Sequence, residues 1–299
     1  MSDIGAWPCA VRRDSEAWFT LCGLPVNHLL HLAKVEPHYT ANEFATFFRD
    51  KVISIRDCTA GSAAPVVLHP TDCRMSSFKP VTVQDISHTL GRCHNKQCAL
   101  DPVPTQLVKS LPVFSETLTK LVNASLSTSR FPAAHKHALV TPVLKKTSMD
   151  PAQLTNYRPI SNFSFVSKLL ERTVASQTSA YLNNNKLFPP LQSAYRLWHS
   201  TEMALLKIVN DALLAADRGM VIIIVRLDYS AAFDTVDHSI AVNILQNKFG
   251  ITSSSLQKFC NYLSGRSFSV SFNSQTSQNI DMNSTLPQGS TLGQLMYIT

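Results

Sequence analysis

The sequence predicts an α+β protein, on three observations. Segments with apolar residues at helical spacing recur along most of the chain. One unalternating β-branched run, Met220 to Leu227, has the length and composition of a strand buried on both faces. Near the end, Phe268, Val270 and Phe272 alternate as a half-buried strand does. Periodicity alone leaves the strand order open.

Taken in order, residues 1–40 mix Trp, Cys, His and Pro without sustained periodicity and read as a leader. Asn42 to Ile55 sets Phe44, Phe47, Phe48, Val52 and Ile55 at helical spacing. The stretch to Pro80, with Gly, Ser, Pro65 and Pro70, reads as a linker. Residues 1–79 are therefore expected to be leader and linker with one helix, and 80–299 the main domain. Further helices are expected over Thr82 to Leu90, Glu116 to Leu126, Phe165 toward Tyr181, Thr201 to Asp217, His238 to Phe249 and Ser254 to Leu263. Gly219, Gly250 and Gly265 stand just past three of them. Ala138 to Leu144 reads as a short strand interrupted by Pro142.

Lys and Arg number 27 against 20 Asp and Glu, giving +7, an excess that favours polyanionic partners. Seven cysteines, without an apolar signal core at the start, read as reduced thiols of an intracellular protein, cytoplasmic or nuclear. The run Met220 to Val225 is far short of the ~20 residues needed to cross a bilayer. Cys93, His94 and Cys98 lack the second ligand pair that tetrahedral zinc requires, so they are read as ordinary loop thiols beside a histidine.

The chemistry should lie where carboxylates end buried segments. Asp228, closing the apolar run, either points into a cleft toward a cation or caps the strand end. Asp234 and Asp237 follow at spacings that could serve a divalent metal, although Asp237 is better placed to cap the helix at His238. Pro287-Gln288-Gly289-Ser290 is a turn whose glycine permits close backbone approach. In Asn156-Tyr157-Arg158-Pro159-Ile160 a guanidinium suited to phosphate precedes a proline that holds the backbone extended.

The ordered set LKK, NYRPIS, SKLLER, QSAYR, HSTEMALLK, LDYSAAFDTVDH, YLSGR and LPQGSTLG resembles the reverse transcriptase domain of LINE-type, non-LTR retrotransposons. Within that family it looks closest to jockey-like and chicken-repeat-like elements. The likeness covers about residues 80–299, and Asn42 to Ile55 resembles the segment joining such an element's endonuclease to its polymerase.

The resemblance implies the fingers and part of the palm of a right-hand polymerase, with the palm's ferredoxin-like sheet left incomplete. It implies that Asp228 binds Mg2+ with help from the Tyr229 carbonyl, and that Phe233 sits under the sugar of the incoming nucleotide. By the same likeness Gln288 and Gly289 pack against template and nucleotide, while Arg158, Lys145 and Lys146 hold the triphosphate. Its partners would be an RNA or DNA template–primer, weakly bound, and deoxynucleotides. The family's Ala-Asp-Asp-type hairpin is expected beyond Thr299, and no Asp-Asp dipeptide occurs in the sequence. Gln294 stands where the family has proline, and Arg226 where it has an apolar residue. The expectation is a polymerase fragment without catalytic activity; the alternatives are a non-catalytic nucleic-acid-binding remnant or an unstable product.

Overall fold

The computed structural model describes residues 39–59, 61, 70–93, 95, 98–227, 232–233, 236–282, 285–286 and 289–298. Helix starts follow local capping chemistry. Helix α1 (Ala41–Thr59) begins where Thr40 and Glu43 exchange side-chain and backbone hydrogen bonds, and α2 (Val83–Gly91) where Thr82 and Asp85 do the same. Helices α3 (Thr105–Ser110) and α4 (Pro112–Ser127) follow, the latter opened by a proline whose missing N–H costs nothing in the first turn. Strands β1 (His137–Leu144) and β2 (Tyr157–Asn162) form a hairpin. Ser164, Ser200 and Asp237 cap α5 (Phe165–Asn184), α6 (Thr201–Asp217) and α7 (His238–Asn247). Helix α8 (Ser253–Leu263), strands β3 (Arg266–Phe272), β4 (Gln275–Thr276) and β5 (Ile280–Met282), and helix α9 (Thr291–Ile298) complete the described elements.

The sheet runs β2-β1-β3-β4, with β5 also paired to β3. β1 lies antiparallel to β2 and parallel to β3. Pro142 does not interrupt β1 as the sequence suggested. It stands opposite Pro159, and the Lys145 N–H to Asn156 carbonyl bond at 2.9 Å sets the alternation so that the two prolines meet at a pair from which no N–H is required.

One face of the sheet is apolar. Ala138, Val140, Tyr157, Phe268 and Val270 pack there with Phe44 and Phe48 of α1, and the Phe44 ring meets those of Tyr157 and Phe272 edge-on at 4.8 Å. Helix α1 thus belongs to the same core as the sheet. The larger core lies among α2, α4, α5, α7, α8 and α9, with Ile86, Val122, Leu169, Leu170, Leu245, Phe259 and Leu292 at its centre. No described helix is long and apolar enough to cross a membrane.

The apolar run before Asp228 departs from expectation. Residues 221–227 lie outside any strand and are exposed, Val221 at 91% and Ile223 at 84%. Helix α6 forms as predicted, yet none of its residues is buried. A strand buried on both faces needs a neighbour at each edge and a layer over each face. Among the described residues no strand or helix takes those places.

Candidate functional site

The turn around residues 285–290 gathers segments from across the chain. The Leu286 N–H donates to the Phe233 carbonyl at 2.7 Å. His238 Nε2 lies 3.1 Å from both the N–H and the carbonyl of Thr285, so one tautomer accepts and the other donates. Gly289 adopts φ +103°, and a Cβ there would fall 2.7 Å from the Ser161 carbonyl oxygen of β2. Only glycine permits both the conformation and the approach.

Ser290 fastens the turn to the core. Its Oγ caps α9 by accepting from the Gly293 N–H at 2.9 Å and lies 2.5 Å from the Tyr262 hydroxyl. Glu171 Oε2 accepts from Ser290 Oγ at 2.7 Å and from the Thr291 N–H at 3.0 Å. Glu171 and Arg266 are both fully buried. Arg266 Nη1 donates to the Tyr262 carbonyl at 3.2 Å, while Nε and Nη2 find no acceptor among the described residues. The guanidinium lies over the rings of Tyr262 at 4.6 Å and Phe163 at 5.1 Å. Burial pushes the Glu171 carboxyl upward from its ordinary range, and the Arg266 charge opposes that shift. Burial, reinforced by Glu171, also raises the Tyr262 phenol.

The sheet face opposite α1 is mixed, with polar side chains among Leu139, Val143 and Ile160. His137 contacts Ser267 and Ser269 at 2.9 and 3.0 Å, and Asn162 donates to Thr141 Oγ1 at 3.3 Å. Arg158 pairs in register with Val143, which places it on this face and diagonal to Lys145, about 7–8 Å apart by strand geometry. Both cations are exposed, as is Lys146, which follows in the hairpin loop. Phe233 stacks on Tyr297 at 4.6 Å and meets Tyr195 edge-on at 6.2 Å.

Asp228, Tyr229 and Gln288 lie outside the described residues. Asp237 is the helix cap: its carboxylate accepts from the Ser239 and Ile240 N–H groups and pairs with Arg56 at 3.1 Å. The Ser239 hydroxyl, which also donates to it, is the main reason its carboxyl is held low. Among the described residues no group of three potential ligands could hold a metal ion. Glu171 and Asp237, the described carboxylates around the turn, are already committed. The described residues by themselves do not make a Mg2+ site, and the other candidate carboxylates, Asp228 and Asp234, lie outside them.

The profile of a family described as reverse transcriptase (RNA-dependent DNA polymerase) matches residues 143–299, more than half the chain. The chain belongs to this reverse transcriptase family. Among similar proteins, a probable RNA-directed DNA polymerase from transposon X-element of Drosophila melanogaster is 30% identical over 234 residues, covering 76% of this chain and 24% of the relative. A probable RNA-directed DNA polymerase from transposon BS of the same fly is 29% identical, over 74% of this chain and 24% of the relative. The RNA-directed DNA polymerase from mobile element jockey of Drosophila melanogaster is 27% identical, over 73% and 24%. The chain thus spans about a quarter of the length of these curated relatives.

The family found is the one the motif segments suggested. Its reverse transcriptase segments meet at the turn: Phe233 from LDYSAAFD, Ser161 from NYRPIS, Glu171 from SKLLER, Tyr262 and Arg266 from YLSGR. The last three and Ser290 were not singled out from sequence. Their only signal there was membership in the motif strings.

Proposed function

We propose that this chain supplies the fingers and part of the palm of a retrotransposon reverse transcriptase, binds RNA or DNA template–primer and deoxynucleotide, and does not by itself extend a primer. The observation that carries the reading is the convergence of motif segments on the Gly289 turn, which rests on β2, the strand that carries the exposed Arg158. Arg158, Lys145 and Lys146 are assigned to the triphosphate, Phe233 to the sugar of the incoming nucleotide, and Gln288 and Gly289 to the template side. Asp228, with the Tyr229 carbonyl, is assigned to Mg2+, which when bound would neutralise phosphate charge.

Inactivity in isolation follows from donor supply. Two ions that each carry substrate phosphate need several converging carboxylates. The sequence has no adjacent aspartate pair, and Glu171 and Asp237 are engaged elsewhere.

The test is fluorescence anisotropy of a labelled template–primer at low and moderate salt, beside a primer-extension assay of wild type and Asp228→Ala. Salt-sensitive binding without extension is expected. No binding at low salt would remove the assignment. Extension that disappears with Asp228→Ala would show a complete metal site and overturn the inactivity. Binding without catalysis, as a role in its own right, is the second reading, favoured by the same committed carboxylates.

A further inference from the structure

We propose that Glu171 is the positioning residue of the Gly289 turn, acting as a buried carboxylate whose counter-charge is Arg266; the inference rests on reading that turn as part of the nucleotide and template site. Glu171 reaches across 119 positions in sequence to hold Ser290 and the first turn of α9. Ser290 immediately follows the glycine that rests on the Ser161 carbonyl. The reach of the Glu171 side chain therefore governs how closely the turn is drawn onto β2, the strand that carries Arg158.

Proton accounting orders the hydrogen bonds at Ser290. The Ser290 hydroxyl has one hydrogen and two lone pairs. Its hydrogen goes to Glu171 Oε2 and one lone pair takes the Gly293 N–H, so the Tyr262 hydroxyl donates to the other. The hydrogen bonds then run in one direction, Tyr262 to Ser290 to Glu171, and the Thr291 N–H joins them at the same oxygen. An ionised carboxylate accepts all of these, and the helix N-terminus favours its charge. A proton on Oε2 would reverse the chain and leave the buried Tyr262 hydroxyl without an acceptor, so any proton that Glu171 takes up belongs on Oε1, where Ser167 Oγ lies 3.4 Å away.

A buried carboxylate also requires a buried cation. Arg266 meets that need. Two of its nitrogens find no acceptor among the described residues, and aromatic faces surround its guanidinium, so its pairing with Glu171 works through charge at a distance and not through a direct bridge.

The experiment is hydrogen exchange at the amides of residues 289–293, read beside thermal unfolding and template–primer anisotropy. The proteins are wild type, Glu171→Gln, Ser290→Ala, Arg266→Met and the double variant Glu171→Gln/Arg266→Met. Ser290→Ala should speed exchange at these amides about tenfold beyond any change in α4, the loss of one well-placed hydrogen bond, and Glu171→Gln, whose amide oxygen accepts without charge, should speed it by a smaller factor. Both should weaken template–primer binding. Removing both charges together should recover the melting temperature that either single charge change loses, because an unpartnered buried ion is gone. It should recover neither turn protection nor binding.

If exchange at 289–293 rises only in step with global stability, or if the double variant restores turn and binding together, the pair is a fold staple and the proposal fails. Should Glu171→Gln not fold, Ser290→Ala breaks the same link without stranding a charge and decides alone. A wild type that binds no template–primer but shows the expected exchange pattern would defeat the functional reading and leave the positioning role standing.

Discussion

Gly289 carries two constraints at once: a left-handed backbone at φ +103° and a carbonyl oxygen where its Cβ would be. Gly265 carries one, since φ is +62° there but nothing lies within 4 Å of the added carbon. Gly265→Ala should therefore cost only the left-handed penalty, about 1 kcal/mol. Gly289→Ala should cost roughly 3 kcal/mol, because β2 must also give way. Thermal unfolding of the two variants reads the difference, and equal losses would mean that the turn does not rest on Ser161. Residues of this kind were visible in the sequence, since a glycine in a Pro-Gln-Gly-Ser turn announces its freedom and an arginine before proline its extended backbone. Glu171, Ser290, Tyr262 and Arg266 were not. Their roles depend on partners that lie far along the chain, and a glutamate on a helix beside leucines has no local mark of a buried carboxylate.

At the scale of elements, the predicted helices form within a few residues of their expected bounds, because capping and 3.6-residue periodicity are local. α3, β2, β4, β5 and α9 were not predicted as elements: short segments carry little periodicity, and β2 owes its pairing to β1. The junctions between elements hold half-buried histidines. His135 meets Ser164 at the start of α5, His137 meets β3, and His238 meets Thr285. Burial lowers all three below the ordinary 6.5. The fold then holds fewer protons than the unfolded chain between the lowered values and 6.5. Stability from these groups is present above about pH 6.5 and lost as pH falls through it. Glu171, shifted upward, works in the opposite sense from pH 4.5 up.

At the alkaline end Lys258, whose Nζ donates to the Ser125 and Arg130 carbonyls at 2.9 Å, is lowered by burial to about 8 from 10.5. Its effect on stability rises with pH across that window, opposed from about pH 9 by the raised thiols of Cys93 and Cys260 and from about pH 10 by the raised Tyr262. Urea midpoints taken from pH 5.5 to 9 should climb on both sides of neutrality, and Lys258→Met should flatten the climb above pH 8. A wild-type profile level from pH 5.5 to 7 would show that the histidines are not held neutral.

On the scale of the whole molecule, the largest departure from the sequence is also the largest exposed feature. Met203 through Leu227 presents leucine, isoleucine and valine side chains along both α6 and the run after it, with Leu206 at 70% exposure. The pattern demanded burial, and no described element answers it. Each such side chain exposes on the order of 50 Å² or more, so together they exceed the few hundred Å² of contiguous apolar surface that a monomeric protein usually shows. The β-branched run from Val221 to Val225 has high strand propensity and no charge before Arg226, which makes it a template for pairing with another copy. The net charge of +7 opposes such association, and salt screens that repulsion. Salt therefore separates two behaviours of this chain: binding to template–primer weakens as salt rises, whereas self-association strengthens. Light scattering on a sizing column should show mass increasing with protein concentration, and more so at high salt, together with binding of a hydrophobic dye. Leu206→Lys with Ile223→Lys should hold the chain monomeric at both salt levels and remove the dye signal, without changing template–primer affinity at low salt by more than the added charge accounts for. A wild type that stays monomeric at high salt and binds no dye would mean that these side chains are covered in solution.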